Sequence, residues 1–208
     1  MRVQSLRSMA SRSTSRFPGF DHLFWVSQAF SNDDFVAELD LEGVTQVDAL
    51  RGAVALKKAV ARWAMGASRP SDAVWTQDVG LPLLRSSAIK GLSGITGWSS
   101  SSVELYCPAG RRFDYAWITV NGRCGPLLPE RSIGAIKAFP AKTAAVRRGL
   151  FFEASTWDGS DVFMPSDDSA FVFVTERAKK VLSEIGGFAF IGLEDVEQPV
   201  VPDGSATA

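Results

Sequence analysis

Residues that carry chemistry are scarce in this chain. Its 208 residues include two cysteines and one histidine. A structural zinc site draws on about four Cys or His ligands, and Cys107, Cys124 and His22 lack both the number and the CxxC spacing, so no metal or other cofactor is expected. A single disulfide stays open, although nothing marks an oxidising compartment. No run of 18 apolar residues occurs, which removes a membrane-spanning helix. Walker-type loops, GxSxG and the local papain and caspase patterns are missing too, so neither a phosphate cradle nor a nucleophile elbow is in view. His22 has no Ser or Cys beside it and reads as a packed histidine in an aromatic stretch.

What is present is the composition of a folded globule, 46% apolar with 11% aromatic residues. The net charge of −1 hides an asymmetry. Through Arg148 the chain has 19 Lys and Arg against 12 Asp and Glu, or +7, and from Gly149 onward 3 against 11, or −8. Residues 1–17 contain Arg2, Arg7, Arg12 and Arg16, many serines and no acid, which mimics an organelle transit peptide and lacks the apolar core of a secretory signal, but is read in preference as a disordered or mis-assigned extension. Without those four arginines the body has 18 basic against 23 acidic residues, or −5. That counts against a general nucleic-acid binder, which needs a basic footprint to displace counterions.

Periodicity supplies the elements. His22–Val26 reads as a first strand and residues 31–34 as a helix start. Residues 47–65, rich in alanine with an apolar face at Ala53, Leu56, Val60, Trp63 and Ala64, form the longest helical candidate. Phe113–Val120 followed by Asn121-Gly122 predicts a tight hairpin. The clearest unit is 161–196: two β-prone runs around Pro-Ser-Asp-Asp-Ser, then a helix capped by Thr175 with Ala178, Val181, Leu182 and Ile185 as its stripe. Gly186-Gly187 stops that helix, and Phe188–Leu193 leaves as a strand. Residues 85–97 echo 175–187 at six of thirteen positions, each between β-prone stretches, so the two units are expected to pack together or serve matching lobes. The expected fold is α+β: a mixed or antiparallel sheet with packed helices and two echoed strand-helix-strand units. Residues 18–198 form one domain, with possible lobes at 18–71 and 72–198, and 199–208 form a mobile tail.

The acid pairs Asp33-Asp34, Asp167-Asp168 and Glu194-Asp195 offer acid–base or magnesium chemistry in principle, but adjacent carboxylates in turns normally serve the turn and its hydration. Two blocks carry a resemblance instead. The first runs from Asp78 to Leu92, DVGLPLLRSSAIKGL, with Asp114–Ile118, DYAWI, and Pro129–Ser132, PERS, after it. The second comprises Asp161–Phe163, Phe171–Val174, Thr175–Lys179 (TERAK), Leu182 and Gly187–Phe190. Together they resemble a family of small bacterial immunity proteins encoded beside polymorphic toxins, long catalogued as a domain of unknown function. The double CxxCG motif of related myxobacterial proteins is absent here, so their metal site is not carried over.

The resemblance implies a non-enzymatic cytoplasmic protein that binds one cognate toxin, with no nucleic acid or membrane partner. Should the toxin be a basic nuclease, Asp167, Asp168, Glu194, Asp195 and Glu197 would mimic its phosphates. The rival is an enzyme or small-ligand domain with a carboxylate-and-tryptophan pocket. A scaffolding subunit is the third reading.

Overall fold

The computed structural model of the chain describes residues 19–29, 34–54, 56, 59–76, 81–139, 142–168 and 170–199. After β1 (Leu23–Gln28), six strands close into a barrel in the order β2 (Val36–Asp40), β3 (Val60–Met65), β6 (Trp98–Tyr106), β7 (Arg112–Val120), β5 (Leu83–Arg85) and β4 (Ala73–Thr76). β6 and β7 form its long antiparallel hairpin, in register from Trp98↔Val120 to Tyr106↔Arg112. Closure depends on two parallel pairings, β2 with β4 and β3 with β6. Ala37 and Ala61 are fully buried in the same core as Tyr115 and Trp117. Small residues set against large ones let so narrow a barrel be filled by side chains.

A five-stranded sheet lies outside the barrel, in the order β13 (Phe188–Gly192), β1, β12 (Phe173–Thr175), β11 (Val162–Pro165), β8 (Gly122–Cys124). Its helix, α2 (Glu176–Ile185), has Thr175 as cap, with the hydroxyl accepting from the Ala178 N–H, and ends at Gly186 with φ of +82°. Leu182 of α2 and Leu92 of the echoed segment are both buried and line one apolar void with Leu84 and Ile118 of the barrel. The echoed pieces therefore meet, but the first is a 3-10 turn at Ala88–Leu92. A second core of Phe151, Phe152, Phe163, Phe173 and Leu193 reaches towards a third sheet, ordered β14 (Glu197–Pro199), β10 (Lys142–Arg148), β9 (Ile133–Phe139).

The α+β expectation with packed helices is thus overturned. The chain is mostly β, 42% strand against 20% helix, and its described residues hold two α-helices. The physical cause is clearest at 47–65. Among the described residues there, α1 (Gln46–Leu50) is the one helix; Gly52, at φ of +69°, follows it, and Val60–Met65 becomes a barrel strand. Alanine's helix preference is worth less than one kcal/mol or so per residue and yields to burial of Ala61 in the barrel. Of the helix start at 31–34, residues 31–33 lie outside the described set, and the strand β2 begins at Val36, two residues after Asp34. Asn121-Gly122 does not fold β7 back on itself. Gly122 opens β8, which runs parallel to β11, and a Cβ on Gly122 would stand 2.3 Å from the Val162 carbonyl oxygen. Close backbone approach, not a tight turn, is what that glycine permits.

Residues 1–17 and 200–208 lie outside the described set, while Pro199 ends β14. Strands from either side of residue 71 share both the barrel and the five-stranded sheet. No helix among the described residues is long and apolar enough to cross a membrane.

Candidate functional site

The densest polar cluster joins the two echoed units. Asp161, directly before β11, is buried. Its Oδ1 accepts from the Thr175 hydroxyl at 2.9 Å and Arg177 Nε at 3.1 Å. Its Oδ2 accepts from the Thr96 N–H and hydroxyl, both at 2.9 Å, and from Arg177 Nη2. Arg177 also donates to the Gly94 carbonyl, and the Val162 N–H to the Thr96 carbonyl at 3.0 Å. Burial alone would raise the Asp161 pKa, but the Arg177 guanidinium and the threonine donors outweigh it and hold the carboxyl below its ordinary range. Every acceptor direction of this acid points into the fold, which makes it a clamp rather than a reagent.

The five acids proposed from sequence fall into two groups. Asp167 and Asp168 lie in the turn after β11, where Asp167 accepts from the Leu127 N–H at 3.2 Å and Asp168 from the Ala170 N–H at 2.7 Å. Glu194 and Asp195 occupy the 3-10 turn Leu193–Asp195, and Glu197 starts β14. These three surround Arg148: its guanidinium bonds Asp195, and that bond with the fields of Glu197 and Glu194 lifts its pKa above the usual value. Three carboxylates and Arg148 thus meet at this edge of the sheet.

Across the same sheet the sign reverses. From Ile133 to Arg148 the hairpin of β9 and β10 carries Lys137, Lys142, Arg147 and Arg148 and no acid. Sequence reasoning missed this hairpin. Its advance signal was the unbroken positive charge, because four alanines and a glycine among the fourteen residues of β9 and β10 dilute their β propensity.

A cleft of about 290 Å³ lies between barrel and five-stranded sheet, lined by Ala29, Asp34, Phe35, Ser71, Ala73, Trp75 and Gly187. Trp75 Nε1 donates to the Gly187 carbonyl at 2.8 Å and the Ser71 hydroxyl to the Ala73 carbonyl at 2.6 Å. The void beside Leu182 holds about 20 Å³ and is walled by apolar side chains. That is room for one water with nothing to bond it, so it is a packing defect.

The remaining candidates are inert. Cys107 and Cys124 are buried and unbridged. Burial, with Asp167 and Asp158 nearby, pushes the Cys124 thiol up to about 12, far from a thiolate nucleophile. His22 is not packed: it is exposed and sits 3.4 Å from the Asp21 carboxylate. Among the described residues no group of three or more Cys, His, Asp or Glu is placed to hold a metal. No protein-family model matches this chain, and no curated protein matches it either.

Proposed function

We propose that the chain is a non-catalytic immunity protein of the bacterial cytoplasm that binds one cognate toxin and neutralises it by surface contact. The observation that carries this reading is how the polar residues of the resembling blocks are used. Asp161, Thr175 and Arg177 are bonded to one another and to Thr96 and Gly94. Residues of that kind build a scaffold and leave recognition to outer surfaces, as a protein matched to one partner requires. The three-stranded sheet is the surface best suited to it, with carboxylates around Arg148 at one edge and cations through β9 and β10. Opposite charges on one small sheet give a partner both steering and register.

The test is co-expression with the toxin-like reading frame next to this gene. Survival and a co-purifying complex are expected. Glu194→Lys with Glu197→Lys should slow association and alter its salt dependence; unchanged kinetics remove those acids from the contact. A second reading, a small-ligand domain, rests on the cleft holding Asp34 and Trp75, whose 290 Å³ meets the lower end of ligand pockets. A metabolite retained in native mass spectrometry, and lost on Trp75→Ala, would favour it.

A further inference from the structure

The three-stranded sheet has two outer edges, and they differ in kind. β10, in the middle, pairs Val146 with Pro199, Arg147 with Gln198 and Arg148 with Glu197 on β14. On its other side Val146 faces Ala135 and Arg147 faces Gly134 of β9. In an antiparallel ladder, opposed residues alternate between exchanging both backbone hydrogen bonds and exchanging none. Proline has no N–H, so Val146 and Pro199 cannot be an exchanging pair. Val146 therefore turns its backbone groups to Ala135, and Arg147 turns its groups to Gln198.

This phase fixes which groups point outward. On β9, Ala135 and Lys137 bond inward to β10, while Gly134, Ile136 and Ala138 aim N–H and C=O away from it. Among the described residues no strand pairs with that outer edge. On β14 the outward residues are Glu197 and Pro199, so the opposite edge is three residues long and blunted by a proline and a charge. The β9 edge carries neither proline nor acid along its seven residues.

The same sheet also shows what this hairpin accepts. Glu197–Pro199, an extended segment that opens on an acid, is already laid against β10, and Asp195 of the 3-10 turn before it bonds Arg148. Arg148 is taken by Asp195, but the rest of the hairpin's sequence adds Lys137, Lys142 and Arg147 and no acid, which repeats the invitation on the β9 side. The chain's own outer segments do not answer it. Residues 1–17 carry four arginines and no acid, and residues 200–208 hold one acid, Asp203.

We propose that the outer edge of β9 is a strand-addition site for an extended acidic segment of the partner protein. Backbone groups of Gly134, Ile136 and Ala138 supply the ladder, and the net positive charge of the hairpin favours an acidic strand. The inference rests on the partner-binding reading above and names that partner's contact chemistry.

The experiment uses the full chain, isotopically labelled, and a synthetic peptide of alternating Glu and Val, with alternating Lys and Val as its counterpart. NMR should show shifts and slowed amide exchange at Gly134, Ile136 and Ala138 with the Glu peptide only. Methylating the peptide's backbone nitrogens at every other residue, in each of the two phases, must abolish binding in one phase without touching the protein. Ala138→Pro, which removes one outward donor, should weaken binding about tenfold. Lys137→Gln with Lys142→Gln should weaken it further as salt is lowered.

Shifts that map to the barrel or to β14, equal binding of the Lys peptide, or indifference to N-methylation each overturn the proposal. So does protection of the β9 amides that grows with protein concentration alone, since a second copy would then be the occupant. No toxin enters this experiment. Failure here alongside successful rescue of toxin-expressing cells removes the β9 site and leaves the immunity reading standing.

Discussion

Replacing Asp161 by Asn deletes one negative charge from a carboxylate that accepts from Thr96, Thr175 and Arg177. Breaking a buried ion pair by removing one partner costs roughly 3–5 kcal/mol. Here the acid's side chain is 10% exposed but the Arg177 side chain is 61% exposed. The orphaned guanidinium can therefore rehydrate, which discounts the penalty. Asn keeps one acceptor oxygen, yet its amide NH₂ meets a site made of donors. The expected loss is about 2–3 kcal/mol. Urea unfolding followed by tryptophan fluorescence measures it as a lower midpoint at unchanged slope. A cycle with Arg177→Met should return a coupling of about 1 kcal/mol or more.

The pH dependence has a definite sign. Asp161 is held below its ordinary range in the folded chain. Its contribution is therefore complete above the unfolded carboxyl pKa, roughly 3.9, and is lost as pH falls through the lower folded value. The gap between wild type and Asp161→Asn should be flat from about pH 7 to 5 and shrink below about 4. An Asn variant within about 0.5 kcal/mol of wild type at pH 7 would refute the clamp.

Gly122→Ala would drive a Cβ to 2.3 Å from the Val162 carbonyl oxygen, so β8 and β11 must separate, at a cost of about 1–3 kcal/mol in a urea titration. Leu182→Ala enlarges the void that Leu182 shares with Leu92 and Ile118; the loss should be about 2–4 kcal/mol, and a small apolar guest such as benzene should restore part of the melting temperature. Cys124, with its thiol pushed up to about 12, should react with a disulfide reagent at pH 8 only as fast as the protein opens, and at the free-thiol rate in urea.

The legibility of this chain follows the range of its signals. Residues 161–196 could be read because each signal is local: the Thr175 hydroxyl caps α2, Ala178 and Leu182 face inward one turn apart, and Gly186 stops the helix. The barrel could not, because its closure joins strands distant in sequence, β3 to β6 by Val60↔Glu104, and no residue announces a parallel pairing. Alanine misled at β3, where the environment overrode propensity, and β9–β10 drew no assignment from the sequence at all. The acids at 194, 195 and 197 were visible as charge. Arg148, lying 47 positions before Asp195, was not visible as their counter-ion. The signal in Asp161 was read as a strand start, and its role as a clamp needed Thr96, 65 positions away.

The central claim is that this chain silences a toxin by binding it. The direct measurement is survival of cells that express the adjacent toxin-like reading frame with and without this chain, paired with the stoichiometry of any purified complex. Immunity predicts rescue and a stable complex of fixed stoichiometry, both retained when Trp75 in the cleft is replaced by Ala. Equal killing in the two cultures, with the chain folded and present, would contradict it.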